Sequence, residues 1–269
     1  MLSRITSPEH DPRVAELRAR LDAFYAKPDT YESFDRPLDQ SRYWRPVFRR
    51  IREILERPGR GEEPVRVLEI GSGRTSFPGA LDDLRENVHF TAQDITEANL
   101  DHLNSVADRV HVGDVLELGE RFDVMFSTFV WEHITNPREV LEWKLSHLNP
   151  GGSVFIFCPR YDAPGYVPPS ARHLSGARQK RIAAALAMRR VASLLKRRAD
   201  FLIHLEPAVL HVDWYRDADA IHWSSLGDLR RALPSKFKLS VLAPEGLGLV
   251  ARRKLSLIQI LARIDAPDA

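Results

Sequence analysis

The apolar positions of this chain follow one period before about residue 60 and another after it. In "DPRVAELRARLDAFY" the positions Val14, Leu17, Leu21 and Phe24 fall three or four apart, which marks one face of an amphipathic helix. Asp11 followed by Pro12 supplies an N-cap and first-turn pair at its start. "SRYWRPVFRRIREILE" predicts a second helix, with Pro46 near its beginning. The stretch "RPGRGEEP", Arg57 to Pro64, reads as a boundary loop. The pattern therefore predicts an N-terminal helical cap over residues 1–60 and a main domain over 61–269.

From Val65 short apolar runs alternate with helical segments. "VRVLEI", "NVHFTAQD", "RVHVGD", "FDVMFST" and "SVFIFCP" are strand candidates. Between them lie a helix expected to begin near Ser76, the helix "TEANLDHLNSVA" capped by Thr96, and the helix "NPREVLEWKLSHL" closed by "NPGG". Such alternation predicts an α/β fold: a doubly wound, mostly parallel sheet of seven strands. The strands are nearly all apolar because helices bury both of their faces. A Pro/Gly loop and a basic helical segment interrupt the rhythm at about 160–215, an inserted lid. "SSLGDLRRAL" then reads as a helix, and "KFKLSVLA" and "LSLIQILARI" as the last strands.

In such sheets ligands bind beyond the carboxyl ends of the strands, where strand order reverses. The first turn of the alternating region, "EIGSGRTS", holds Gly71, Ser72 and Gly73. Glycine there lets the backbone bend sharply and approach a ligand, and a following helix start would offer free N–H groups. A tight structural turn is the plain alternative. Glu69 argues against it, since a carboxylate in an apolar strand is costly without a partner. Asp94 ends the next strand, 23 residues beyond Gly71, where it can accept hydrogen bonds from ribose hydroxyls. Asp114 ends the third strand, in reach of a base edge. The GK[ST] ending of a phosphate-gripping loop is absent, and Ser76 stands where a dinucleotide fold has its last glycine. Glu69 would repel a pyrophosphate and suits a cationic ligand.

Composition narrows the class further. Of 269 residues 43% are hydrophobic, enough for one substantial core, and the net charge is +2. Cys158 is the only cysteine, so neither a disulfide framework nor a cysteine zinc cluster is expected. The charged N-terminal stretch does not read as a signal peptide, and no apolar stretch approaches the roughly 20 residues that span a bilayer. The expected location is cytoplasmic, with peripheral membrane contact through the basic helix as an option.

The motifs "VLEIGSGRT", "TAQDIT", "HVGDV", "FDVMFSTFVWEHITNPREVL" and "HLNPGGSVFIFCP" resemble those of the class I S-adenosylmethionine-dependent methyltransferases, over roughly Val65 to Ile264. That resemblance implies S-adenosylmethionine as cofactor. Glu69, Gly71, Ser72 and Gly73 would face its methionine part, with Glu69 near the ammonium. Asp94 and Ile95 would hold the ribose, and Asp114 and Val115 would frame the adenine. Phe129, Trp131 and Glu132 would line the methionine side. Many members carry a third glycine where this chain has Thr75, which bears on the fine shape of the loop.

For the acceptor, several residues are candidates. His133 in "WEHI" lies at the expected pocket mouth and has the pKa range of a general base; its alternative role is packing at a helix start. "LHVDWYRDADAIHW" holds His211, Asp213, Asp217, Asp219 and His222. His211 and Asp213 would point the same way on a strand and form a base with its orienter. The same set could hold a divalent metal, or be a polar loop re-entering the fold; no metal site is assigned. Nine Lys or Arg lie between Arg172 and Arg198, beside an apolar stripe of Ile182, Leu186, Val191, Leu194 and Leu195. A solvated lid, a groove for an anionic acceptor, or a membrane-facing surface are the readings. Cys158-Pro159 reverses the Pro-Cys order of cytosine methyltransferases, and "STFVWEH" is not an adenine-methyltransferase motif, so nucleic acid is disfavoured. The expected reaction is O-methylation of a small molecule or glycan, in glycan or natural-product biosynthesis. N- or C-methylation of a quinone-like or natural-product acceptor and a non-catalytic binding module are the alternatives.

Overall fold

The computed structural model describes residues 5–6, 11–26, 41–59, 61–162, 166–195, 197–211 and 219–268. Its centre is a seven-stranded sheet of β2 (Val65–Ile70), β3 (Val88–Asp94), β4 (Arg109–Val112), β5 (Phe122–Thr128), β6 (Leu148–Pro159), β8 (Lys238–Val241) and β9 (Gln259–Asp265). The strand order is β4-β3-β2-β5-β6-β9-β8. Only β9 runs against the rest, antiparallel to both β6 and β8. Chain order reverses between β2 and β5, which pair Val67 with Val124 and Glu69 with Phe126. That reversal opens the crevice at the carboxyl ends of β2, β3 and β5.

Helices cover both faces, as the apolar strands require. On one face α2 (Ser41–Leu55) and α3 (Leu100–Val106) pack with Val65, Val67, Phe90 and Phe126 through Val47, Ile51, Ile54 and Leu103. On the other face α4 (Pro137–Ser146) and α6 (Leu226–Ala232) pack through Val140, Leu141, Leu226 and Leu229 against Leu68, Met125, Val154 and Ile156. Thus α2, although it precedes the boundary loop, shares its core with the sheet. The helix α1 (Pro12–Tyr25) behaves differently. Asp11 caps it as expected, and Val14, Leu17 and Leu21 pack against Ile203, Leu205, Val209 and Ile221 of the inserted region. A two-stranded ribbon of β1 (Ile5–Thr6) and β7 (Ile203–His204) ties the same two regions together.

Two local expectations fail. No α-helix begins near Ser76; two 3₁₀ turns, Pro78–Ala80 and Asp82–Asn87, take its place. Pro78 and Gly79 are poor helix interior residues, and Phe77 is drawn inward, its ring 4.5 Å from that of Phe126. The segment "LSLIQILARI" is not one strand either. It is divided between α7 (Leu249–Ile258) and β9. A short apolar run does not separate strand from helix by period, and only the pairing of Gln259–Asp265 with β6 settles it.

The basic insertion forms α5 (Gly176–Leu195). The expected apolar stripe divides: Leu186 is buried and Ile182 packs beside Tyr161 and Trp223. Val191, Leu194 and Leu195 are 56–80% exposed, as is Met188 at 64%. Arg190 clamps the helix to the domain through an ion pair with buried Asp228, which Arg231 also contacts at 2.8 Å.

Candidate active site

The crevice holds a cavity of about 630 Å³, lined by residues from β2, β3, β5, the loops that follow them, and α1. Gly71, Ser72, Gly73, Asp94, Ile95, Asp114, Val115, Phe129 and His133 all face it. Nine of the residues expected at the site thus converge on one space.

The loop after β2 owes its shape to two left-handed glycines. Gly71 has φ +68° and Gly73 φ +51°. A Cβ at Gly71 would stand 2.5 Å from Cγ2 of Val130, so the loop closes directly onto the segment after β5. With no helix at Ser76, the N–H groups of the loop go elsewhere. Gly73 N–H donates to the Asp94 carboxylate at 2.7 Å, Ser72 N–H to the Gln93 carbonyl at 2.8 Å, and Gly71 N–H to Gln93 Oε1 at 3.2 Å. Gln93 also donates from Nε2 to the Gly113 carbonyl at 2.7 Å. One side chain therefore staples the loops after β2 and β4. Sequence reasoning passed over Gln93, although a polar residue inside a buried strand beside Asp94 is the kind of signal that marks a site.

The two acids beside the loop differ. Asp94 is buried, and burial raises its pKa against the backbone N–H donors of Gly73, Thr96 and Ile95. Glu69 lies behind the loop, 3% exposed and off the cavity surface. Burial pushes its pKa up to about 8, helped by the charge of Asp94 and opposed by a hydrogen bond with Thr75. Its Oε2 is buried with no hydrogen-bond partner. An uncompensated acid at this place suits a cation bound in front of it.

The far end of the cavity is closed by α1. Arg18 forms an ion pair with Asp114, whose other oxygen accepts from Leu116 N–H at 3.0 Å. Leu21, Asp22, Phe24 and Tyr25 from the same helix also line the space. No motif pointed to them, and the amphipathic pattern of α1 marked only its buried face.

The segment after β5 carries strain. Phe129 has φ +58°, uncommon for an aromatic residue. Its N–H donates to the Phe157 carbonyl at 2.7 Å, and its ring stands edge-on to Tyr43 at 5.3 Å. This fixed conformation sends the chain into the 3₁₀ turn Trp131–His133. Trp131 and Glu132 are wholly buried and do not line the cavity. Trp131 packs edge-on against His222 and under the Lys144 ammonium, and the Glu132 carbonyl accepts from Ile221 and His222 N–H, each at 2.8 Å. Both residues hold the segment at Ile221 and His222, which follows the insertion, and lie off the cavity. Burial lowers the Lys144 pKa to about 7.

The expected base residues separate. His133 reaches the cavity, with its side chain 23% exposed. His222 is fully buried, its pKa lowered by burial to about 3, and its Nδ1 lies 3.3 Å from the Trp131 carbonyl. No acceptor proton reaches it there. His211 is exposed, stacks at 5.3 Å on His173 and lies off the cavity. Asp213 and Asp217 lie outside the described residues. The histidine and carboxylate that do meet are His133 and Asp219, 86 residues apart: Nδ1 is 3.3 Å from Asp219 Oδ2 and 3.1 Å from its carbonyl oxygen. Among the described residues no group of three or more His, Cys, Asp or Glu is placed to hold a metal ion. No helix among them is long and apolar enough to cross a membrane.

A family model described as a methyltransferase domain matches residues 43–233. No curated protein matches the chain in sequence. Among solved structures, the fold is similar to the plantazolicin methyltransferase BpumL in complex with SAH, at 13% identity and TM-score 0.57, covering 95% of this chain and 98% of that one. It is also similar to the Burkholderia thailandensis 1,6-didemethyltoxoflavin-N1-methyltransferase with bound 1,6-didemethyltoxoflavin and S-adenosylhomocysteine. There the identity is 16% and the TM-score 0.54, covering 97% of this chain and 92% of that one.

Proposed function

This chain belongs to the methyltransferase domain family, and from that premise we propose that it transfers a methyl group from S-adenosylmethionine to an oxygen of a small molecule or glycan. The observation that carries the reading is that His133 shares one cavity with Gly71, Gly73, Asp94 and Asp114. When bound, S-adenosylmethionine supplies a methyl group made electrophilic by a positively charged sulfur. The residues present fit that cofactor. The glycine loop would leave room for its amino-acid end, Asp94 would meet the ribose hydroxyls, and Asp114 and Val115, which face the same cavity, would frame the adenine. Glu69 carries an unpartnered buried oxygen behind the loop. The protein's remaining work is to align the acceptor and receive its proton, and His133 is the group placed to receive it. Incubation with labelled S-adenosylmethionine and fractionated cell extract tests the assignment: label should enter an alkali-stable ether of a low-molecular-weight or glycan fraction. Label found only on nitrogen or carbon would overturn the oxygen assignment and favour the reaction class of the toxoflavin N1-methyltransferase.

Asp94→Ala is expected to weaken S-adenosylmethionine binding by about 1–3 kcal/mol, the scale of a lost buried hydrogen-bonding charge. Calorimetry reads this directly, and unchanged affinity would remove Asp94 from the site.

Glu69 gives a proton linkage with a definite sign. With its pKa near 8 the carboxyl is mostly protonated at pH 7. A cation bound in front of it favours the ionised form, so binding should release protons at neutral pH. Calorimetry at pH 7 in buffers of different ionisation heat should show net release, and Glu69→Gln should reduce it. Equal release by both proteins would mean that Glu69 does not sense the ligand's charge.

The exposed Met188, Val191, Leu194 and Leu195 on the basic helix α5 support a contact of that helix with an anionic lipid surface, which suits a lipid-linked acceptor.

A further inference from the structure

The residue 219 carboxylate has a second partner that turns a contact into a chain of three groups. Tyr25 Oη donates to Asp219 Oδ2 at 2.8 Å, and the same oxygen lies 3.3 Å from His133 Nδ1. The three residues come from distant parts of the chain: the end of α1, the turn after β5, and the segment that re-enters the fold after the insertion. Asp219 is 5% exposed, yet it, Tyr25 and His133 all border the cavity. The Tyr25 ring stands edge-on to the imidazole, with centroids 6.4 Å apart.

From this geometry we infer that Asp219, held by Tyr25, is the positioning residue of His133. The inference rests on the proposed role of His133 in receiving the acceptor proton. The backbone carbonyl of Asp219, 3.1 Å from Nδ1, can only accept. In the neutral imidazole Nδ1 therefore carries the hydrogen, and the lone pair resides on Nε2. When Nε2 takes the proton of an acceptor hydroxyl, the new O–C bond forms as the methyl–sulfur bond breaks. The sulfur keeps the electron pair of the broken bond, and the imidazolium left behind lies against the Asp219 carboxylate. Tyr25 donates to that carboxylate and restricts its rotation. α1 thus contributes to the chemistry as well as covering the site, and the segment that follows the insertion is needed to complete the base.

Among the groups that face His133 are Asp219, Tyr25 and Glu132, whose Oε1 lies 3.9 Å from Nε2. Arg18 and Asp22 border the same cavity from α1. Nuclear magnetic resonance of the histidine-labelled full-length protein separates their effects without knowledge of the acceptor. In Asp219→Asn the His133 imidazole should titrate about one pH unit or more lower than in the unmodified protein, because an adjacent carboxylate favours the charged ring. Asp219→Glu should restore most of the difference. Asp22→Asn should produce a clearly smaller shift, and calorimetric binding of S-adenosylhomocysteine should be the same in all. An unchanged titration in Asp219→Asn, or an equal shift in Asp22→Asn, would overturn the pairing. If the pairing holds but His133→Ala transfers label as fast as the unmodified protein, the proton-acceptor role fails and with it the positioning role, while the cofactor site stands.

Discussion

Replacing His133 with alanine is expected to slow methyl transfer by about 10²–10⁴-fold, the usual contribution of a positioned base, while cofactor affinity stays the same. The two effects separate because of where the ring sits. The groups proposed to hold the cofactor come from the loops after β2, β3 and β4, and their hydrogen bonds run among Gly71, Gly73, Gln93 and Asp94. His133 takes no part in that set; its Nδ1 contacts Asp219. Its removal should take away the proposed proton acceptor and leave these hydrogen bonds intact. The measurement is single-turnover transfer of labelled methyl into the acceptor fraction, with S-adenosylhomocysteine affinity determined alongside. Transfer within a few-fold of the unmodified protein would remove His133 from the chemistry. A large loss of affinity would show instead that the ring supports the cofactor.

The second large effect should come from one methyl group. Gly71→Ala meets two penalties at once. A left-handed backbone costs a non-glycine residue about 1–2 kcal/mol. The added Cβ would also stand 2.5 Å and 2.8 Å from the two methyl carbons of Val130, an overlap of the kind that costs about 1–3 kcal/mol in a packed interior. The expected total is roughly 2–5 kcal/mol, divided between thermal stability and cofactor affinity according to which side yields. Val130 lies between Phe129 and His133, so a yielding Val130 also moves the base. The double variant Gly71→Ala, Val130→Ala relieves the overlap but not the backbone penalty. It should recover part of the loss, and a double-mutant cycle measures that part. A Gly71→Ala protein with unaltered melting temperature and affinity would mean that the loop is far softer than its contacts imply.

Much of the fold was readable from residue order because its causes are local. Near-continuous apolar runs such as "FDVMFST" require burial on both faces, and alternation with helical segments requires a parallel sheet. The convergence of the residues proposed to hold the cofactor was readable for a related reason. These residues stand at the carboxyl ends of consecutive strands, so the topology brings Gly71, Asp94 and Asp114 together once the strands are known. Local pattern failed where neighbours in space overrule it. The turn at Phe77 packs into an aromatic cluster instead of starting a helix. The last apolar run divides because half of it finds β6 as a partner and half does not.

The acceptor end followed the opposite rule. The family resemblance implied Trp131 and Glu132 on the methionine side, and His222 was a candidate base, yet all three are fully buried off the cavity, where Trp131 and Glu132 hold the segment at Ile221 and His222 that follows the insertion. His211 and Asp213 looked like a pair from their spacing of two, but a spacing argument holds only within a regular strand, and His211 ends a 3₁₀ turn away from the cavity. The carboxylate that meets His133 lies 86 residues further on, and the tyrosine that holds it precedes it by 194. No period links such residues. Their meeting depends on α1 packing into one apolar cluster with Ile203, Leu205, Val209 and Ile221, which joins segments far apart in the chain. The order of residues thus determined the sheet, its switch point and the convergence of Gly71, Asp94 and Asp114 on one crevice, since each follows from short-range pattern. The residue order also offered His133 as the candidate base, but its pairing with Asp219 and Tyr25 was decided only by long-range packing of segments that lie outside that pattern.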